Sequence, residues 1–192
     1  MRKLETLNIY LLDRNPDMYS SWNKYFFGQD NVSVVCCDFA DFMRRYKVDC
    51  VVSPANGFGI MDGGYDEAIT AWFGISLQEK VRQYIVNNLY GEQPVGTSIV
   101  VDTDVQGIKL IHTPSMRTPS VIKDNAVIYH CTRSCLMAAL NSGINSVVVP
   151  AFGGLTGCVP HDTVAKMMWF AFDQLKNPPQ KIDWEYASRR IF

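Results

Sequence analysis

Short, continuously apolar segments alternate with helical patterns along this chain, and that alternation limits its possible folds more than any other feature. Residues 8–12, 32–37, 50–53, 98–102, 109–113 and 146–150 read as strands. Several carry apolar side chains at successive positions rather than at every second one, as expected for strands covered on both faces. Strands of that kind build a mostly parallel sheet with helices above and below it. The expected class is α/β: three αβα layers around a mixed, mostly parallel sheet.

The intervening helices carry start signals and apolar faces. Asn15-Pro16 supplies a cap and a first-turn proline, followed by Met18, Trp22, Tyr25 and Phe26 at helical spacing. Ser76 and Glu79 predict a capping box ahead of Leu77, Val81, Tyr84, Ile85 and Leu89. A further helix is expected over 125–140, and Pro160 opens the last long one, with Val164, Met168, Ala171, Phe172 and Leu175 on its buried side. Asn177-Pro178-Pro179-Gln180 ends that helix. In the tail beyond it, Trp184, Tyr186 and Phe192 predict packing on the rest of the chain or on a partner. Residues 1–192 are read as one domain: an N-terminal strand and helix over 1–31, a core over 32–175 and a tail over 176–192.

Charge and cysteine content exclude some function classes. A formal net charge of -1 gives no general attraction to polyanions, so a broad nucleic-acid surface is not expected. No apolar run approaches the roughly 20 residues that span a bilayer. Met1-Arg2-Lys3-Leu4-Glu5 also lacks a signal-peptide core. The expected compartment is the cytoplasm (a host's cytoplasm, were the chain phage-encoded), with no membrane partner and the oligomeric state left open. Cys36, Cys37, Cys50, Cys131, Cys135 and Cys158 are then expected to be reduced. His130, Cys131 and Cys135 lie close in sequence but without a CxxC or a second ligand pair, so neither a metal nor another cofactor is expected.

Two loops combine glycine with polar residues directly after apolar strands, where α/β sheets bind ligands. The first runs from Ser53 through Asn56 and Gly63-Gly64 to Asp66, at the start of a helix containing Ala68, Ile69, Trp72 and Phe73. Gly63-Gly64 is either a tight turn or a place where a ligand meets bare backbone. Asp66 is either a helix cap or a functional carboxylate, which the helix dipole is expected to keep ionised. The second loop, 150–160, holds Gly153, Gly154 and Gly157 and no Lys or Arg. Successive N–H groups in such a turn before a helix form an anion nest suited to a diphosphate. Neither a Walker loop nor a GxGxxG spacing is present. Of the histidines, His112 ends a strand near the cleft and is either structural or an aid to phosphate-ester chemistry. His161 is expected to be solvated and His130 packed.

Together these loops resemble the macrodomain family, which binds and processes ADP-ribose. Ser53-Pro54-Ala55-Asn56 is similar to its Asn-Ala-Ala-Asn motif, and Gly63-Gly64-Tyr65-Asp66 to the Gly-Gly-Val-Asp of its hydrolytic members, at the same distance from the Asn. Cys37-Asp38-Phe39 sits where the family has Gly-Asp-Ile, and the second loop matches the phosphate loop in length from proline to proline. Residues 58–64 and 113–119 resemble a bacterial and phage subgroup of macro-like proteins. The second loop departs from the pattern, with Gly154-Leu155 in place of Thr-Gly and Gly157 where many members have an aromatic.

The resemblance implies a macrodomain-like αβα fold, ADP-ribose or an ADP-ribosylated carrier as partner, and a role for each matching residue. Asp38 would accept from the adenine amino group, supported by the Phe39 N–H. Asn56 would bind the distal ribose and act with Asp66 in catalysis. Gly63, Gly64 and Tyr65 would line the passage beside the diphosphate, and Gly153, Gly154, Leu155, Thr156, Gly157 and Cys158 would cradle it by main-chain donors. Asp66 would be the general base of a hydrolase that frees ADP-ribose from a carrier or phosphate from ADP-ribose 1″-phosphate. A non-catalytic reader of ADP-ribosyl groups or a related nucleotide signal is the alternative, and a nucleotide-free assembly protein the third reading.

Overall fold

The apolar runs become strands because each can pair with a neighbour while burying both faces. The fold, taken from a computed structural model, is described for residues 2–105 and 107–189; Phe192, and with it part of the predicted tail packing, lies outside them. The strands are β1 (Asn8–Asp13), β2 (Val32–Cys36), β3 (Cys50–Ser53), β4 (Ile99–Asp102), β5 (Lys109–His112) and β6 (Ser146–Pro150), each within one residue of its expected bounds. They form one sheet in the order β2-β1-β6-β3-β5-β4. Every neighbouring pair is parallel except β4 with β5.

Successive strand residues feed opposite layers. Leu11, Val52, Ile111, Val147 and Val149 face one cluster, shared with α1 (Pro16–Phe26), α5 (Ala126–Asn141) and α6 (His161–Lys176). Leu12, Val51, Leu110 and Val148 face a second, shared with α2 (Phe39–Arg45), α3 (Gly64–Phe73) and α4 (Ser76–Leu89). The three-layer αβα arrangement follows directly from this alternation.

Cap chemistry is borne out at one helix and corrected at another. Asn15 Oδ1 accepts from the Asp17 N–H at 2.8 Å, with Pro16 at the first turn. Ser76 makes no capping box: Ile75 is the cap residue, and the Ser76 hydroxyl donates to Asp104 Oδ2 at 2.9 Å. At the start of α5, Asp124 Oδ1 accepts from the Ala126 N–H at 2.9 Å. In the tail, a short helix α7 (Trp184–Ala187) rests on α6 through Tyr186, whose hydroxyl accepts from Gln174 Nε2 at 2.8 Å. Trp184 is 85% exposed and does not pack.

Helix α2 was not expected. Its seven residues give Phe39 and Phe42 to the core, and Phe42 stacks on Tyr46 and meets Tyr10 edge-on. Because Phe42 is fully buried, Phe42→Ala should cost about 3–5 kcal/mol of stability in equilibrium urea unfolding. Phe27→Ala, at an 89% exposed position, should change it by less than about 0.5 kcal/mol. Similar losses in both variants would contradict this placement of the core.

Candidate functional site

The parallel strands end together, so the loops after β2, β1, β6 and β3 are neighbours along one rim of the sheet. Asp38 follows β2, residues 151–159 follow β6 and residues 54–66 follow β3. The rim from β2 to β3 spans three inter-strand gaps, about 14 Å. Each predicted site residue lies on it.

The first loop is held rigidly from outside. Gly57 N donates to Met116 O and Arg117 O, both at 3.1 Å, Ser115 N to Ala55 O at 3.1 Å, and Gln93 N to Gly57 O at 2.8 Å. The first three zip residues 55–57 to the segment after β5, and the last ties Gly57 to the segment before β4. Asn56 closes its own turn: its Nδ2 donates to Ile60 O at 2.6 Å and its Oδ1 accepts from Phe58 N at 3.1 Å and Ile60 N at 3.4 Å. One amide N–H of Asn56 is left for another acceptor. Gly64 begins α3 at φ +60°, a left-handed backbone that favours glycine. Leu155 of the second loop leans over it, 3.6 Å from where a Cβ would sit. The two loops therefore meet across Gly64.

The second loop turns on Gly153 at φ +74°, where a Cβ would strike Ile122 Cδ1 at 2.7 Å. At Gly157 a Cβ would strike Gly153 O, also at 2.7 Å. Glycine at 153 and 157 is a requirement of the fold, so bulk there would disturb the turn itself. Within the loop, Cys158 N donates to Leu155 O at 3.0 Å, Val159 N to Gly153 O at 3.1 Å and Gly154 N to Ala151 O at 3.4 Å. Among the described residues, the N–H groups of Gly153, Leu155, Thr156 and Gly157 have no acceptor. Of the six N–H groups in 153–158, those of Gly154 and Cys158 are thus spent within the loop. Cys158 is a free, exposed thiol at φ 53°.

Asp66 lies in the first turn of α3 with only 8% exposure. Its Oδ1 accepts from the Ser53 hydroxyl at 2.6 Å. Its Oδ2 takes no hydrogen bond from the described residues. Burial works against the charge that a helix start favours. Burial pushes its pKa up to about 7, the Ser53 hydrogen bond pulls it down and the charge of Asp62 adds to the rise.

Asp38 precedes α2 but makes no capping hydrogen bond. Its carboxylate is 66% exposed and faces Arg14 at 3.8 Å, a surface pair of little energetic worth. Phe39 is buried against the edge of the Tyr65 ring, centroids 5.4 Å apart. Beside Asp38 and Phe39, a groove of about 560 Å³ opens toward Arg44, Ala68 and Trp72. A second groove of about 520 Å³, between α5 and residues 95–98, touches none of the predicted site residues.

His112 is structural. It is fully buried, its Nδ1 is 2.7 Å from Gln93 Oε1, and burial holds its pKa down to about 3. His130 is exposed rather than packed. The partnership of Ser53 with Asp66 was missed, although the serine in place of the first motif asparagine was the available signal.

The Asp66 shift makes stability depend on pH. The folded pKa lies above the unfolded one, so between about pH 4 and 7 the folded chain binds more protons and loses stability as pH rises. Asp66→Asn should remove that slope and be more stable than wild type at pH 8, by an amount on the order of a few kcal/mol. Chemical denaturation at pH 4.5 and 8 checks it; parallel pH dependences in both proteins would contradict the burial of this charge.

A family model described as Macro domain matches residues 52–168. An uncharacterized protein of Aquifex aeolicus is 28% identical over 127 residues, covering 66% of this chain and 73% of that one. Among solved structures, a macrodomain variant of Oceanobacillus iheyensis with ADPR superimposes with a TM-score of 0.64 at 16% identity, over 92% of this chain and 82% of that one. The macrodomain of Mycobacterium tuberculosis DarG superimposes with a TM-score of 0.59 at 21% identity, over 69% of this chain and 86% of that one. The strand-end loops, the sheet order and the family match together make this chain a member of the macrodomain family.

Proposed function

We propose that the chain binds ADP-ribose along the β2-to-β3 rim and hydrolyses the bond between its distal ribose and a carrier or phosphate. One observation carries the reading: four N–H groups without an acceptor and a buried carboxyl with one oxygen unbonded, both counted among the described residues, lie on loops that touch across Gly64. The relative solved with ADPR supports the choice of ligand.

In this reading the N–H groups of Gly153, Leu155, Thr156 and Gly157 hold the diphosphate, as an anion nest does. Gly63, Gly64 and the Tyr65 backbone flank it, and the absence of Cβ at Gly63 and Gly64 permits close approach. Asp38 accepts from the adenine amino group, since its carboxylate is not spent on capping α2. Asn56 offers its remaining amide N–H to a ribose hydroxyl. Asp66 Oδ2 takes a proton from water as the water oxygen bonds to the anomeric carbon, and the bond from that carbon to the carrier breaks with its electron pair leaving on the carrier. A carboxyl that titrates near neutrality is matched to that exchange.

The non-catalytic reader has one observation in its favour: the Asn56 amide is largely committed to its own turn. Turnover separates the readings. Asp66→Ala should lose about 10²–10⁴-fold in release of ADP-ribose from mono-ADP-ribosylated protein or nucleic acid, or of phosphate from ADP-ribose 1″-phosphate, with ADP-ribose affinity nearly unchanged. Wild-type protein that binds ADP-ribose and turns over none of these is a reader.

Adenine recognition is tested separately by calorimetry. Asp38→Ala should weaken ADP-ribose by about 1.5–3 kcal/mol, the worth of a hydrogen bond to a charged group, and leave ribose 5-phosphate unaffected. Equal weakening of both ligands would contradict a contact to the base.

A further inference from the structure

We propose that Ser53 is a positioning residue: its hydroxyl anchors one oxygen of Asp66 and thereby turns the other toward the distal ribose. The inference rests on the reading of Asp66 as the site's base. Ser53 is the last residue of β3 and fully buried, and its carbonyl accepts from Thr113 N at 3.0 Å, so its backbone cannot drift. Its Oγ donates to Asp66 Oδ1 at 2.6 Å, a short bond between two groups almost withdrawn from water. Oδ2 has no such partner among the described residues, on a side chain that keeps 8% exposure. A carboxylate tethered at one oxygen and unbonded at the other has its direction fixed before substrate arrives, which a base acting on a bound water requires.

The groups around the pair set its charge balance. Asp62, in the loop before α3, raises the Asp66 pKa, and burial raises it more; the Ser53 hydroxyl opposes both. The Tyr65 hydroxyl, on the same helix, is buried without a partner among the described residues and stays protonated because burial drives its pKa well above 10. His112, the register neighbour of Ser53 on β5, stays neutral. No cation neutralises Asp66 among the groups that shift it, so the serine hydroxyl is the group that favours its ionised form.

The test compares wild type, Ser53→Ala and Ser53→Thr as full-length chains. Carbon-13 NMR of the aspartate carboxyls reads the Asp66 titration directly, with Asp66→Asn identifying its signal. Asp66 is expected to titrate at higher pH in Ser53→Ala than in wild type and to return toward wild type in Ser53→Thr. With substrate, Ser53→Ala should lower kcat at pH 7 roughly ten- to hundredfold, the worth of one hydrogen bond to a charged group. KM should hold steady and the acidic limb of the pH profile should move upward. An Asp66 titration unchanged in a folded Ser53→Ala overturns the proposal. Should wild type turn over no ADP-ribosyl substrate, Asp66 loses its role as base, while the titration still decides whether Ser53 governs its carboxyl.

Discussion

Strand β6 is the constraint on which the rest of the molecule depends. It lies between β1 and β3, with Val147 and Val149 buried in one layer and Val148 in the other. A strand enclosed on both faces has one fixed register, since a slip by one residue would exchange its two sets of side chains. That register fixes where Pro150 ends and the glycine loop begins. The same parallel register brings the ends of β3 and β1 level with it. Shallow packing in the centre of the sheet would leave the loops without a common rim.

The loops themselves show two ways of making polar backbone serve a cleft. Residues 55–57 spend backbone groups on the segments after β5 and before β4 and so become a wall. Residues 153–157 do the opposite: close approaches at Gly153 and Gly157 tighten the turn while four N–H groups stay unmatched. Unpaired main-chain donors are costly unless water or a ligand meets them. Asp66 carries a comparable cost in charge rather than in hydrogen bonds, and Ser53 offsets part of it.

Much of this was legible in the sequence because it depends on local pattern. The run Val147-Val148-Val149 announces a doubly covered strand, and Asn15-Pro16 announces a helix start; both hold. The Asn56-to-Asp66 loop and the glycines after β6 were also readable, as motif spacing. What sequence did not reveal depends on partners far along the chain. Ser76 looks like a capping serine until Asp104, 28 residues on, takes its hydroxyl. Asp66 looks like a solvated helix-start carboxylate until burial against the end of β3 raises its pKa. His112 looks available until Gln93, 19 residues away, is seen to hold it inside the core. Helix α2 escaped notice because seven residues carry too few turns for a periodic signal.

The central claim is that ADP-ribose lies along this rim with its diphosphate on the loop after β6. Titration of the isotope-labelled protein with ADP-ribose, followed by the backbone amide signals in two-dimensional NMR, tests it most directly. The largest changes should fall on Gly153, Leu155, Thr156 and Gly157, with a second group at Asp38 and Phe39. An absence of saturable change, or changes centred on the groove between α5 and residues 95–98, would contradict it.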